Sequence, residues 1–149
     1  MTHAVPGAAW RAGAGAVVVL GAALLTGCAS SDGVQELEAL FDEEQQADDI
    51  LPDTVLDDVA VDGGTTRRLG ADDDATFYAA RSNEGASTCL VLVDDAAGEG
   101  VSSCTMTPNP TGTEVSNGTS KAMFVVPGTD FTSLEQTGWT RLGDFLAVR

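Results

Sequence analysis

The chain has 149 residues, with 23 acidic and seven basic side chains and a formal net charge of −16 at pH 7. Nucleic acid is an unfavourable partner for so acidic a chain, because phosphate binding needs basic patches on the protein. The single histidine, His3, lies in a predicted leader, which excludes Ser-His-Asp and Cys-His catalysis from the mature chain. A Gly-rich phosphate loop is also absent from the sequence, and we expect no bound cofactor or metal.

Residues 1–27 follow the plan of a secretory signal, with Arg11 ahead of an uncharged, largely apolar run at residues 12–25. At ~1.5 Å per residue this run reaches about 21 Å as a helix, which is short of the ~30 Å hydrocarbon core of a bilayer. A cleaved signal is therefore favoured over a permanent transmembrane helix.

The apolar run ends in Leu-Thr-Gly-Cys at residues 25–28, and this tetrapeptide resembles the lipobox of bacterial lipoproteins. The resemblance implies cleavage between Gly27 and Cys28 and attachment of diacylglycerol to the Cys28 thiol. Two acyl chains anchor far better than one, because each buried CH₂ contributes ~0.8 kcal/mol. We therefore expect a mature protein held by lipid at the extracytoplasmic face of the cell membrane. The alternative is an ordinary secretory signal with a chance cysteine.

Residues 28–66 are predicted to form the lipidated cysteine and an acidic spacer. From residue 29 to residue 66 the chain holds 12 Asp and Glu residues and neither Lys nor Arg. Such a composition predicts a solvated, poorly packed segment. As a flexible coil it would span roughly 35 Å, and its charge would hold the following domain away from anionic headgroups.

One short helix is predicted within this acidic segment. Asp32 is placed to cap its N-terminus with Gln35 at the third helical position. One face carries apolar side chains, namely Val34, Leu37, Leu40 and Phe41. Membrane-surface helices usually carry Lys or Arg, so we expect this marginal helix to pack back on the domain or to contact a protein. Two apolar islands, at residues 50–52 and 55–56, are expected to lie across the domain surface.

Residues 67–149 predict a small, mainly β domain, α+β at most, built on an antiparallel sheet. Strands are expected at residues 67–70, 76–81, 88–93, 100–106, 122–126, 139–142 and 145–148, with a long surface loop at residues 107–118. The segment 88–93 is apolar on both faces and is therefore expected to be a central strand. Trp139 is expected to lie in the core, because large apolar residues follow it closely.

With Cys28 assigned to lipid, Cys89 and Cys104 are left to form a disulfide in an oxidising space. If the two cysteines face each other across an antiparallel hairpin, the four-residue loop is 95–98. The register then places Val91 opposite Ser102, Leu92 opposite Val101 and Val93 opposite Gly100. Period-2 alternation puts Cys89, Val91 and Val93 on one face of the sheet and Leu90 and Leu92 on the other.

The whole pattern resembles a recurring type of small lipoprotein from high-GC Gram-positive bacteria. The resemblance covers residue 67 onward. It rests on Tyr-Ala-Ala-Arg at residues 78–81, Cys-Leu-Val-Leu at residues 89–92, Cys104 and the pair Gly138-Trp139. It fits a composition with one Lys against six Arg, and it implies no catalytic residue.

Several polar residues have both a chemical and a structural interpretation. Aspartates in predicted turns, at residues 72–74, 94 and 95, are interpreted as solvated loop faces. The alternatives are a weak Ca²⁺ site at residues 72–74 or a carboxylate acid–base pair. Arg67 and Arg68 are expected to pair with the acidic segment, the alternative being an anionic ligand. Asn117 begins an Asn-Gly-Thr sequon and is expected to lie in a turn.

These observations favour a lipid-anchored envelope protein that acts as a non-enzymatic binding or interaction module. Its expected partners are the membrane, through the lipid on Cys28, and a neighbouring envelope or membrane protein or cell-wall component. The alternative function is a carboxylate-dependent hydrolase or a weak ligand-binding lipoprotein.

Overall fold

The computed structural model describes residues 31–106 and 108–149 and arranges their strands in two four-stranded antiparallel sheets. The first sheet has the order β1-β2-β3-β4, with β1 at Arg67–Ala71, β2 at Ala75–Arg81, β3 at Thr88–Asp94 and β4 at Gly100–Thr105. The second sheet has the order β5-β6-β8-β7, with β5 at Glu114–Ser116, β6 at Lys121–Phe124, β7 at Thr140–Arg141 and β8 at Leu146–Val148. The prediction of a mainly β, antiparallel fold is confirmed.

Helices in the described residues are α1 at Ser31–Leu40, α2 at Asp53–Asp58 and α3 at Thr132–Glu135, with 3-10 turns at Ala47–Asp49 and Gly63–Thr65. α1 is the short helix predicted in the acidic segment. It begins one residue before Asp32, so this carboxylate lies in the first turn, where it favours the helix dipole. None of the helices in the described ranges is long and apolar enough to cross a membrane.

The main hydrophobic core lies between the two sheets. Fully buried side chains enter it from β2, β3, β6 and β8, namely Phe77, Leu90, Leu92, Phe124 and Leu146. α1 contributes Leu37, which is also fully buried, while Leu40 and Phe41 pack against the cluster. The predicted apolar face of the helix is therefore confirmed at Leu37 and Leu40, and Phe41 packs from the turn that follows α1.

β3 is the central strand that its sequence predicts. All of its residues from Thr88 to Val93 are buried, and β2 and β4 flank it. Leu90 and Leu92 face the core between the sheets. On the opposite face, a second cluster contains the alternate residues of the strand, namely Cys89, Val91 and Val93.

The acidic segment covers this opposite face of the first sheet. Its apolar side chains Leu51, Val55, Val59 and Val61 are buried in the second cluster. The prediction of a poorly packed spacer is therefore wrong for residues 31–66. The physical reason is that a strand apolar on both faces needs cover on both, and the apolar residues between the aspartates supply it.

Polar contacts also bind the acidic segment to the first sheet. The Gln45 side chain donates a hydrogen bond to the Thr66 hydroxyl at 2.7 Å. Arg81 on β2 forms an ion pair with Glu38 of α1, and its guanidinium lies 4.4 Å from the centre of the Phe41 ring. α1 is thus bound to the sheet through charge and aromatic contact as well as through Leu37.

The second sheet differs from the sequence prediction in detail. The expected loop at residues 107–118 contains β5, whose Val115 is buried in the main core. Its three residues alternate in burial, but so short a pattern does not distinguish a strand from a loop in the sequence. Its pairing with β6 determines its conformation. Strands near the predicted closing positions are present as β7 and β8.

Candidate functional site

The predicted cleavage and lipidation residues, Gly27 and Cys28, lie outside the described residues. The described chain begins at Ser31, which is also the first residue of α1. Three peptide units therefore separate the Cys28 backbone from a helix that packs into the core.

The predicted disulfide is confirmed. Cys89 and Cys104 are bonded across β3 and β4, with their Cα atoms 4.0 Å apart. The predicted register is also confirmed at each pair, with Val91 opposite Ser102, Leu92 opposite Val101 and Val93 opposite Gly100. Cys89 is fully buried and Cys104 is exposed, so the bond ties the surface strand β4 to the centre of the sheet.

This register determines the direction of the backbone groups of β4. The Asp94 N–H donates to the Glu99 carbonyl at 2.9 Å, which marks that pair as hydrogen-bonded. Pairs alternate along an antiparallel ladder, so residues 100, 102 and 104 occupy the non-hydrogen-bonded positions. Their N–H and C=O groups point away from β3. Within the described part of the chain β4 pairs with β3 alone, so these groups line a free sheet edge.

The two edges of the first sheet differ in their protection. The β1 edge carries the exposed Arg68, whose N–H is bonded to Asp49 of the acidic segment, and has a bulge between Arg68 and Gly70. These features discourage strand addition. β4 and the following Met106 contain neither a charged residue nor a proline. Val101 is 36% exposed and Met106 is 82% exposed. β4 therefore presents an uncharged, partly exposed edge.

An acidic cavity of about 540 Å³ opens beside the start of β4. Its lining combines the turn before β4, the end of α2 and the β5–β6 turn: Asp58, Asp94, Glu99, Gly100, Val101 and Asn117. Two carboxylates of the β3–β4 hairpin, Asp94 and Glu99, thus share one opening with Asp58 at the end of α2. The sequence interpretation identified Asp94 but neither Asp58 nor Glu99. Glu99 lies opposite Asp94 in the predicted hairpin register, whereas Asp58 is brought to the cavity by the packing of α2, which leaves no spacing signal.

The Asp94 carboxylate is held in place by three hydrogen bonds. Its Oδ1 accepts from the N–H groups of Ala96 and Ala97 at 3.0 and 2.8 Å, and its Oδ2 accepts from Asn117 Nδ2 at 3.1 Å. These bonds assign Asp94 to shaping the turn and fixing a negative charge. The arrangement suits binding of a cationic group through the carboxylates of Asp58 and Glu99.

A second cavity, of about 430 Å³, lies on the first sheet near the β1 edge. It is lined by Ala47, Asp48, Ile50, Pro52, Arg68, Thr76 and Tyr78. Ile50 is 59% exposed there. Burial raises the pKa of the Tyr78 hydroxyl above its ordinary value, Arg68 opposes this shift and Asp95 adds to it. The phenol is protonated at physiological pH, as an ordinary tyrosine is, and is able to donate a hydrogen bond.

The other predicted candidates have structural contacts. The Asp72 carboxylate accepts hydrogen bonds from the N–H groups of Asp74 and Ala75, and Asp95 accepts from the Thr76 hydroxyl. Among the described residues, no group of three or more His, Cys, Asp or Glu side chains is placed to hold a metal ion.

Arg67 contacts the acidic segment through backbone rather than through carboxylates. Its buried guanidinium donates to the carbonyl oxygens of Thr66 at 2.8 Å, Phe41 at 3.3 Å and Glu43. The predicted pairing with this segment is thus observed in a different chemical form, because the segment folds over the arginine and directs its carbonyls at it.

Trp139 and Asn117 occupy the predicted environments. Trp139 is buried in a cluster with Met123 and Val125. Asn117 lies in a turn, where its side-chain oxygen accepts from the N–H groups of Thr119 and Ser120.

No protein-family model, curated protein or solved structure matches this chain.

Proposed function

We propose that the mature chain is a lipid-anchored protein of the extracytoplasmic membrane face whose β domain binds another protein without catalysing a reaction. The observation that carries this proposal is the sequence Leu-Thr-Gly-Cys at residues 25–28, placed at the end of an apolar run. It supplies the acceptor thiol, Cys28, and small residues before it that suit a peptidase cleft.

The position of α1 adds a constraint on how such an anchor would hold the domain. From Cys28 to Ser31 an extended chain spans no more than about 11 Å. α1 is packed into the core through Leu37 and bound to β2 through Glu38. Lipid on Cys28 would therefore place the folded domain beside the headgroups, not roughly 35 Å away as a flexible spacer would.

The charge of the domain supports a protein partner over a lipid surface. Loss of Arg11 with the leader would make the mature chain one unit more negative than the −16 of the whole sequence. Such a domain is repelled by anionic headgroups, so the acyl chains would supply the membrane affinity. Its field attracts proteins with basic surfaces and raises their association rate.

Metabolic labelling with a fatty-acid analogue tests the anchor. We expect label on the wild-type chain and none on Cys28→Ser, which should also leave the membrane fraction or remain uncleaved. A double variant Cys89→Ser, Cys104→Ser is the matched control and should keep the label. A wild-type chain without label would contradict the anchor.

Crosslinking in intact cells tests the binding role. We expect the wild type to return the same envelope or membrane protein in repeated pull-downs, and Cys28→Ser to lose it because the domain is no longer concentrated at the membrane. Recovery of the wild type without a crosslinked protein would contradict a binding function.

A further inference from the structure

We infer that the free edge of β4 binds an extended segment of the partner protein as a fifth strand of the first sheet, with a Lys or Arg of that segment in the acidic cavity. The inference rests on the proposed binding function and specifies the chemistry of the partner. The added segment runs antiparallel to β4, as the other strands of the sheet run to their neighbours.

The backbone of β4 supplies the attachment points. Residues 100, 102 and 104 each direct one N–H and one C=O away from β3, so an added antiparallel strand forms about six main-chain hydrogen bonds with them. Main-chain bonds give affinity in strand addition, and side-chain pockets give specificity. Because the outward backbone groups belong to residues 100, 102 and 104, a bound segment must be extended over the full length of β4.

The disulfide keeps this edge ready for binding. Cys104 is bonded to Cys89 in the buried centre of the sheet, with 4.0 Å between the two Cα atoms. The backbone of β4 is therefore ordered before any partner arrives, and binding does not have to order it. A frayed edge strand would lose affinity by that ordering cost.

The contrast between the two edges points to β4 as the pairing edge. Natural proteins protect exposed edges with charges, prolines and bulges. β1 has the exposed Arg68 and a bulge, whereas residues 100–106 are uncharged. The exposed side chains of Val101 and Met106 add apolar surface at the two ends of the strand.

The acidic cavity determines the orientation and charge of the segment. It lies beside Gly100 and Val101, at the start of β4. In an antiparallel pairing the C-terminal end of the added segment lies at this point, so the basic residue belongs at that end. Neither Asp58 nor Glu99 has a side-chain hydrogen bond or ion pair within the described ranges, and both are exposed, so a cation can reach them.

Charge also argues against a second copy of this chain as the occupant. Two mature copies would each be one unit more negative than the −16 of the whole sequence, and such self-repulsion opposes association. A second copy that paired through its own β4 would bring no Lys or Arg to the cavity, because residues 100–106 contain neither.

A peptide probe tests the inference on the full mature chain, lipidated and held in detergent micelles. The probe is a capped peptide of about eight residues, with alternating Thr and Val and a C-terminal Lys, which is long enough to cover β4. We expect binding to slow amide exchange at residues 100, 102 and 104. The same peptide ending in Glu should bind about tenfold more weakly, and the difference should shrink at high salt.

Two variants with matched controls make the test specific. Ser102→Pro removes an outward N–H without touching the bonds to β3, and should abolish peptide binding while the melting temperature stays near that of wild type. Ser102→Ala keeps the N–H and should bind as wild type does. Glu99→Lys should weaken binding of the Lys peptide about tenfold, whereas Glu135→Lys, on the exposed surface of α3, should not.

Three results would overturn the inference. The first is equal affinity for the Lys and Glu peptides, and the second is unchanged peptide binding by Ser102→Pro. The third is a wild-type chain that binds no peptide but forms a dimer, which Ser102→Pro abolishes. The last result would assign the edge to a second copy. Lipid labelling of Cys28 and crosslinking in cells do not depend on Ser102 being the contact. They therefore show separately whether the anchor and the binding role hold.

Discussion

At the scale of single residues, Asp49 joins the acidic segment to the β domain. Its buried carboxylate accepts hydrogen bonds from the N–H groups of Gln46 at 2.8 Å and Arg68 at 2.7 Å. Its carbonyl accepts from the Thr66 hydroxyl at 2.6 Å. The sequence shows Asp49 only as one of many aspartates, because its role depends on a strand that begins 18 positions later.

We expect Asp49→Ala to lower the free energy of unfolding by about 1–3 kcal/mol, because two buried N–H groups lose their acceptor. The neighbouring exposed Asp48→Ala is the control and should change stability by no more than about 0.5 kcal/mol. Urea unfolding of both variants measures the difference. Equal stabilities of the two variants would contradict a stabilising contact of Asp49 between the acidic segment and β1.

Tyr78 gives a pH dependence that can be followed directly, because it is the only tyrosine of the chain. Burial raises the pKa of its hydroxyl above 10.0. The folded state therefore holds this proton more tightly than the unfolded state does, and the stability linked to it is complete below pH 10. It is lost as the pH rises from there through the folded pKa.

We expect the tyrosinate absorbance of the folded chain to appear with a midpoint above 10.0. Above pH 10, the free energy of unfolding should fall less steeply with pH in Tyr78→Phe than in the wild type. A midpoint at or below the ordinary value would show that the hydroxyl is fully solvated and would contradict the burial of β2 beneath the acidic segment.

At the scale of elements, the β3–β4 hairpin was predictable in full. Two cysteines and a period of two determine its register, its loop and both of its faces, because each of these is a local property of the chain. The strand pairing of the second sheet was not predictable, because β6 pairs with β8 across a long intervening segment and β5 has a single apolar residue. The apolar face of α1 and the islands at residues 50–52 and 55–56 predicted contact with the domain, and Leu37, Leu51 and Val55 are buried there. The high density of aspartate and glutamate led to the wrong expectation that the segment as a whole is poorly packed.

The disulfide of this hairpin should contribute roughly 3 kcal/mol on the chain-entropy model, for a sequence separation of 15. We expect a Cys89→Ala, Cys104→Ala double variant to melt at a sharply lower temperature than the oxidised wild type, and to match the reduced wild type. Thiol titration of the denatured, oxidised chain should find neither cysteine free. Two reactive thiols, or an unchanged melting temperature, would contradict this role.

At the scale of the whole molecule, the acidic segment is part of the fold and not a tether. Leu37 fills the core between the sheets, and Leu51 and Val55 cover the outer face of the first sheet. Only two residues lie between Cys28 and Ser31, the first residue of α1 as described. With the proposed lipid on Cys28, the proposed binding surface would be held close to the membrane.

The position of α1 relative to the bilayer tests this account most directly. The measurement is paramagnetic relaxation of backbone amides in the lipidated chain, bound to nanodiscs that contain headgroup spin-labelled lipid. We predict strong relaxation in the first turn of α1, and its loss when a Gly/Ser linker of about 20 residues, which spans roughly 25 Å, is inserted after Cys28. Weak relaxation in the wild type, equal to that of the linker variant, would contradict a domain held at the headgroups.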